Sequence, residues 1–139
     1  MADRIDAKST RLIVENEINN YRNLFIKDKD RYQSFDINVE NFINTQMGII
    51  WTSLKVNKNN KKIIDNKWTG SGFKKTLAFA SLLSTVIHGV NVNEGATWTL
   101  EEMQNALAMD IPNDLIMYAL APLSSFTNAC RLYCKGIRG

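Results

Sequence analysis

The sequence predicts an all-α protein, a single compact domain spanning residues 1–139, with about six helices and no sustained coiled coil. Three observations predict it. Apolar residues recur at steps of three and four in two long segments, and a third segment, 73–87, is apolar around most of a helical circumference. Thr99-Leu-Glu-Glu102 has the capping-box spacing, which satisfies two orphan helix amides reciprocally. At 139 residues, 45% of them apolar and 22% charged, the chain can bury a core without disulfides or metals.

Taken in order, Val14, Ile18, Tyr21 and Phe25 form one stripe and predict a first helix over 8–26. Residues 27–31 alternate in charge and read as a solvated connection, and Asp36 is a credible N-cap for the next segment. Val39, Ile43, Met47, Ile50 and Leu54 then predict a second helix over 37–55, widened by Phe42, Ile49 and Trp51. Gly48 within it implies close approach by a neighbouring helix, since glycine there costs about 1 kcal/mol against alanine. Residues 56–71 are polar and basic and predict a long loop, with Ile63, Ile64 and Trp68 as anchors.

The third helix, 73–87, should be central and end at His88-Gly89. A connection over 90–98 leads to the fourth, which opens at Leu100. Pro112 suits a first helical position, so a fifth runs from 112 to 120 and Pro122 closes it. Ser124 or Ser125 caps a sixth helix carrying Phe126, Ala129, Cys130 and Tyr133, with Gly136 at its end.

Several functional classes find no support in the residues. No apolar run approaches the roughly 20 residues of a membrane-spanning helix. Residues 1–6 include two aspartates and no apolar run, so no secretory signal is expected and an intracellular location is implied. Cys130 and Cys134 lie four apart on one predicted helix, poorly placed to bridge, and are expected to stay reduced. With His88 as the one histidine, neither a zinc cluster nor a cofactor is expected. His88 reads as a helix-end residue, and Glu101, Glu102, Asp110 and Asp114 as acids favoured by helix starts, so no enzyme is expected.

Charge is the uneven feature. Between residues 55 and 75 stand seven lysines against the single acid Asp65, a net of +6 that leaves −3 for the remainder of the formal +3. Such asymmetry attracts polyanions. The glycine turn Gly70-Ser-Gly72 opens the third helix, whose N-terminal amides suit a phosphate, and Trp68 and Phe73 are either faces for stacking bases or residues packed into the core beneath lysines that keep a long loop soluble. The turn is no P-loop, because Phe73 separates Gly72 from Lys74.

One stretch resembles the coat proteins of flexible filamentous plant viruses. Gly48-Ile-Ile-Trp51, then Trp68-Thr-Gly-Ser-Gly-Phe-Lys74 after a basic linker, then Phe79-Ala80, is similar to that family's core pattern across about 35 residues. The sequence departs from the pattern at Ser81 and Leu82, where the family places an acidic residue, and no basic helix precedes Trp51. Cys130-Arg-Leu-Tyr133 looks like that helix at the other end of the chain. The resemblance implies a helical coat protein that grips single-stranded RNA and polymerises, in the cytoplasm or a virion.

The expected function is thus a non-enzymatic, nucleocapsid-like protein. Lys55, Lys58, Lys61, Lys62, Lys67, Lys74 and Lys75 would contact phosphates of single-stranded RNA, and Trp68 would stack or shape the groove. The alternative is a helical protein-interaction module, an adaptor, effector or inhibitor, without a nucleic-acid role.

Overall fold

Where the second helix was expected, the chain runs as extended strands, and the computed structural model is a mixed α/β fold, not an all-α one. The structure describes residues 4–24, 37–41 and 46–136, the segment 37–41 by its backbone. In order these form α1 (Ala7–Ile18), β1 (Ile37–Asn41), β2 (Gly48–Val56), β3 (Ile63–Gly72), α2 (Lys74–Ser84), the single-turn α3 (Val92–Gly95), α4 (Leu100–Leu107) and α5 (Asn113–Cys134). The strands make one antiparallel sheet in the order β1-β2-β3. Gly48 faces Gly72 at one end of the β2–β3 hairpin, and Val56 faces Ile63 at the other.

The misread segment has a physical ambiguity at its centre. Ile50 and Leu54 are four apart, a spacing that shares one face of a helix and, being even, shares one face of a strand as well. The β-branched and aromatic run Ile49-Ile-Trp-Thr52 decides for the strand. Ile50, Thr52, Leu54 and Val56 accordingly take the buried positions at every second residue. Most of the predicted loop 56–71 is β3. Its alternation is disguised by Asn66, a polar residue that is buried because its Nδ2 donates to the Ser84 carbonyl at 3.1 Å.

The predicted fifth and sixth helices are one. Pro122 lacks the N–H that would bond to a carbonyl one turn back, which ordinarily ends a helix. Here α5 continues through it, because Ala119, Ala121, Pro122, Leu123 and Phe126 are all buried and packing holds the helix together across the missing bond. The first helix ends at Ile18, capped at its start by the Asp6 carboxylate, which accepts from Ser9 N–H at 2.9 Å. The Thr99–Glu102 capping box is formed. Residues 25–26 of the predicted first helix, the connection 27–31, the Asp36 cap, Phe42 and Ile43 lie outside the described residues.

The main core joins Leu54, Val56 and Ile63 of the sheet to Phe79, Leu82 and Leu83 of α2 and to Leu115, Phe126 and Cys130 of α5. A polar link joins α5 to the sheet within it. Ser125 Oγ donates to the Ile50 carbonyl at 3.0 Å and lies 2.6 Å from Thr52 Oγ1. Beyond α1 the chain is tied down by Arg22, whose Nε pairs with the buried Glu17 carboxylate at 2.9 Å while its backbone N–H donates to Ser81 Oγ.

Candidate functional site

The seven lysines are spread along the whole length of the β2–β3 hairpin and into the start of α2. Lys58, Lys61 and Lys62 surround the β2–β3 turn, where Asn57 accepts from the Asn59 and Asn60 amides and Lys61 takes a left-handed backbone, φ 63°. Lys74 and Lys75 begin α2, past the opposite end of the hairpin. The eight steps between the first and last residues of β2, at about 3.3 Å each, separate the two groups by roughly 26 Å. Between them, Lys55 is paired in register with Asp65 and Lys67 with Ser53. Trp68 is 3% exposed, its Nε1 donates to the Arg22 carbonyl at 2.7 Å, and the Tyr21 ring meets it edge-on at 5.7 Å. It is a core residue.

Four elements converge where the strand hairpin meets α2. Met47 precedes β2, Ser71 and Gly72 close β3, Phe73 caps α2, and Tyr118 approaches from α5. The Met47 carbonyl fastens the corner by accepting from Thr76 Oγ1 at 2.6 Å and from Phe73 N–H at 3.4 Å. Phe73 is 52% exposed and packs edge-on against Tyr118 at 5.9 Å, and Lys75 Nζ stands 5.6 Å from the Tyr118 ring centre. Met117 and Leu120 continue the exposed apolar surface along α5.

The electrostatics of the corner run against helix stability. No acid stands in the first turn of α2, and two lysines occupy its positive end, where cations are disfavoured. Asp114 lies within electrostatic reach. Its carboxyl is held below the ordinary aspartate range chiefly by hydrogen bonds from Arg11, with a smaller contribution from Lys75. A half-exposed ring, an aliphatic helix face and two ammonium groups suit contact with apolar and acidic groups of another protein. Sequence reasoning picked out Phe73, Lys74 and Lys75 but missed Met47, Ser71 and Tyr118. The glycines at 48, 70 and 72, read as strand ends, were the available signal.

Both thiols lie at the far end of α5. Burial, with a smaller effect of Cys134, pushes the Cys130 thiol well up from its ordinary value. Cys134 is exposed and its thiol donates to Asn93 Oδ1 at 3.2 Å. Among the described residues no three of His, Cys, Asp or Glu are grouped as metal ligands would be, and no helix is long and apolar enough to cross a membrane.

The family model described as the NifU-like N terminal domain matches residues 31–133, well over half of the chain. The chain belongs to this NifU-like family. No curated protein matches it by sequence. Among solved structures, a NifU-like protein (N-terminal) from Brucella abortus superposes with a TM-score of 0.65 at 8% identity, over 88% of this chain and 92% of that one. A protein of Fervidobacterium islandicum AW-1, proposed as an iron–sulfur cluster assembly scaffold for the SUF system, gives 0.56 at 13% identity, over 85% and 93%. A hypothetical protein gives 0.61 at 15%, over 89% and 98%. At these identities the likenesses establish the shared fold.

Membership in the NifU-like family replaces the resemblance to filamentous plant-virus coat proteins. That resemblance rested on Gly48-Ile-Ile-Trp51 and Trp68 to Lys74 as helix ends and a turn, whereas Gly48–Trp51 and Trp68–Gly72 are strands of one sheet, with Phe73 and Lys74 opening α2. The nucleocapsid function, the RNA partner, the virion and the helical interaction module fall with it.

Proposed function

We propose that this NifU-like chain works in iron–sulfur cluster assembly as a scaffold-type protein. The observation that carries this reading is the family match across residues 31–133, supported by a fold shared with a protein proposed for that role. The cluster is cargo, and the partners are proteins: a cysteine desulfurase that supplies sulfur and apoproteins that receive clusters. The chain positions these partners without catalysing a reaction of its own. It works inside the cell, where assembly proceeds and where its two thiols stay reduced.

The contact surface is the corner of Phe73, Lys74, Lys75 and Tyr118. Phe73 supplies an apolar anchor and the lysines draw an acidic partner, which favours encounter more than it adds affinity. The test is a reconstituted assembly reaction with cysteine, ferrous iron, a cysteine desulfurase and an apo-ferredoxin acceptor. Adding the chain should change the rate at which holo-ferredoxin appears, and Phe73→Asp should abolish the change. No rate effect, together with no binding to either protein by light scattering, would overturn the reading.

A further inference from the structure

We infer that this chain takes part in cluster assembly without holding an iron–sulfur cluster on its own side chains, an inference that rests on the assembly reading above. Such clusters are held by four ligands, cysteine thiolates above all, with histidine as the established substitute. The sequence contains two cysteines and one histidine, and the residues outside the described segments contain neither type. The donor set is therefore fully located.

It does not converge. Cys130 is completely buried, packed so tightly beneath α3 that a Cβ placed on Gly95 would come within 2.7 Å of its sulfur. A metal ion cannot reach that sulfur without displacing α3 from α5. Cys134 is exposed, but the depression beside it is lined by Lys61, Val92, Asn93, Tyr133 and Gly136, which offer no second thiolate, imidazole or carboxylate. Two copies joined across Cys134 would bring two accessible thiolates, half of what a cluster takes. His88 is exposed at the turn after α2 and belongs to no group of three His, Cys, Asp or Glu side chains among the described residues.

The corner where strands, α2 and α5 meet is no better furnished. Met47, Ser71, Phe73 and Tyr118 present a thioether, two hydroxyls and two rings, the charges beside them are the ammonium groups of Lys74 and Lys75, and the nearby Asp114 carboxylate is engaged by Arg11 through two hydrogen bonds. What this chain contributes to assembly is then its surface, offered to proteins that carry or receive the cluster.

The experiment is anaerobic reconstitution of the chain alone with ferrous iron and sulfide, followed by desalting free of small thiols. Iron and acid-labile sulfide are counted per chain, and visible charge-transfer absorption is recorded. Wild type and the double variant Cys130→Ser/Cys134→Ser should give the same result, with no stoichiometric iron or sulfide and no cluster band. Stoichiometric iron and sulfide with a cluster band in the wild type would overturn the inference, whether or not the double variant loses them. This outcome is separate from the assembly assay: a chain that carries a cluster and also changes the rate of holo-ferredoxin formation keeps its function and loses only this inference.

Discussion

Gly72 stands directly across the sheet from Gly48, so close that a Cβ added to Gly72 would lie 2.4 Å from the Gly48 Cα. Both residues have φ near +130°, 132° at Gly72 and 135° at Gly48, a backbone that side chains rarely adopt. The pair brings the end of β3 against the start of β2 and so sets where Phe73 and α2 begin. Gly72→Ala adds a backbone collision to backbone strain and should cost roughly 2 to 4 kcal/mol. Gly89→Ala is the control: φ is +86° but open space surrounds its Cβ position, so strain alone, about 1 kcal/mol, applies. Urea unfolding of both variants checks the difference.

The buried hydroxyl of Ser125 joins α5 to the sheet through the Ile50 carbonyl and Thr52. Removing it strands a carbonyl and a hydroxyl in the core, so Ser125→Ala should cost about 1 to 3 kcal/mol. Thr52→Val made on top of it removes one of the stranded groups. The double variant should be less destabilised than the sum of the two singles, by an amount a double-mutant cycle measures directly.

Several parts of the fold were legible in the sequence because a single local rule decided them. Thr99 and Glu102 form their box through contacts three residues apart, and the apolar circumference of 73–87 admits little besides a buried helix. The sheet was hidden where two periodicities coincide, as at Ile50 and Leu54, or where a tertiary partner excuses a polar residue, as Ser84 does for Asn66. Pro122 misled for a related reason, since packing across α5 outweighs one missing hydrogen bond. At the candidate corner, lysine density drew attention to residues 55–75 as one segment. A hairpin carries its two halves to opposite ends of the sheet, a fact that no count along the sequence contains.

Asp114 and Arg11 tie the first turn of α5 to α1 through two hydrogen bonds of 2.7 Å. The Asp114 carboxyl is lowered from its ordinary 3.8, first by the Arg11 hydrogen bond. A depressed folded-state value means that stability is present above about pH 4 and is lost as pH falls through the folded value. Asp114→Asn removes that contribution. Melting temperatures of wild type and variant should differ modestly at neutral pH, because the pair is exposed, and converge in acid. Curves that stay parallel down to low pH would show that the pair contributes nothing.

The two thiols should differ in reactivity far more than four residues of separation suggest. Cys134 is exposed and should react with a thiol reagent at the rate of a surface cysteine, speeding with pH as its thiolate forms. Cys130 sits under Gly95 and beside Phe126, so its sulfur meets a reagent only when α3 leaves α5 or the chain unfolds. If that opening costs even a few kcal/mol, labelling slows by about a hundredfold or more. Gly95→Ala is then informative, because its methyl would crowd the Cys130 sulfur and the Phe126 ring at 2.7 and 2.9 Å and raise the population of the opened form. Mass spectrometry of a labelling time course should show one modification quickly and a second slowly in the wild type, with the second accelerated in the variant. Equal rates at both cysteines in the wild type would mean that α3 does not cover Cys130.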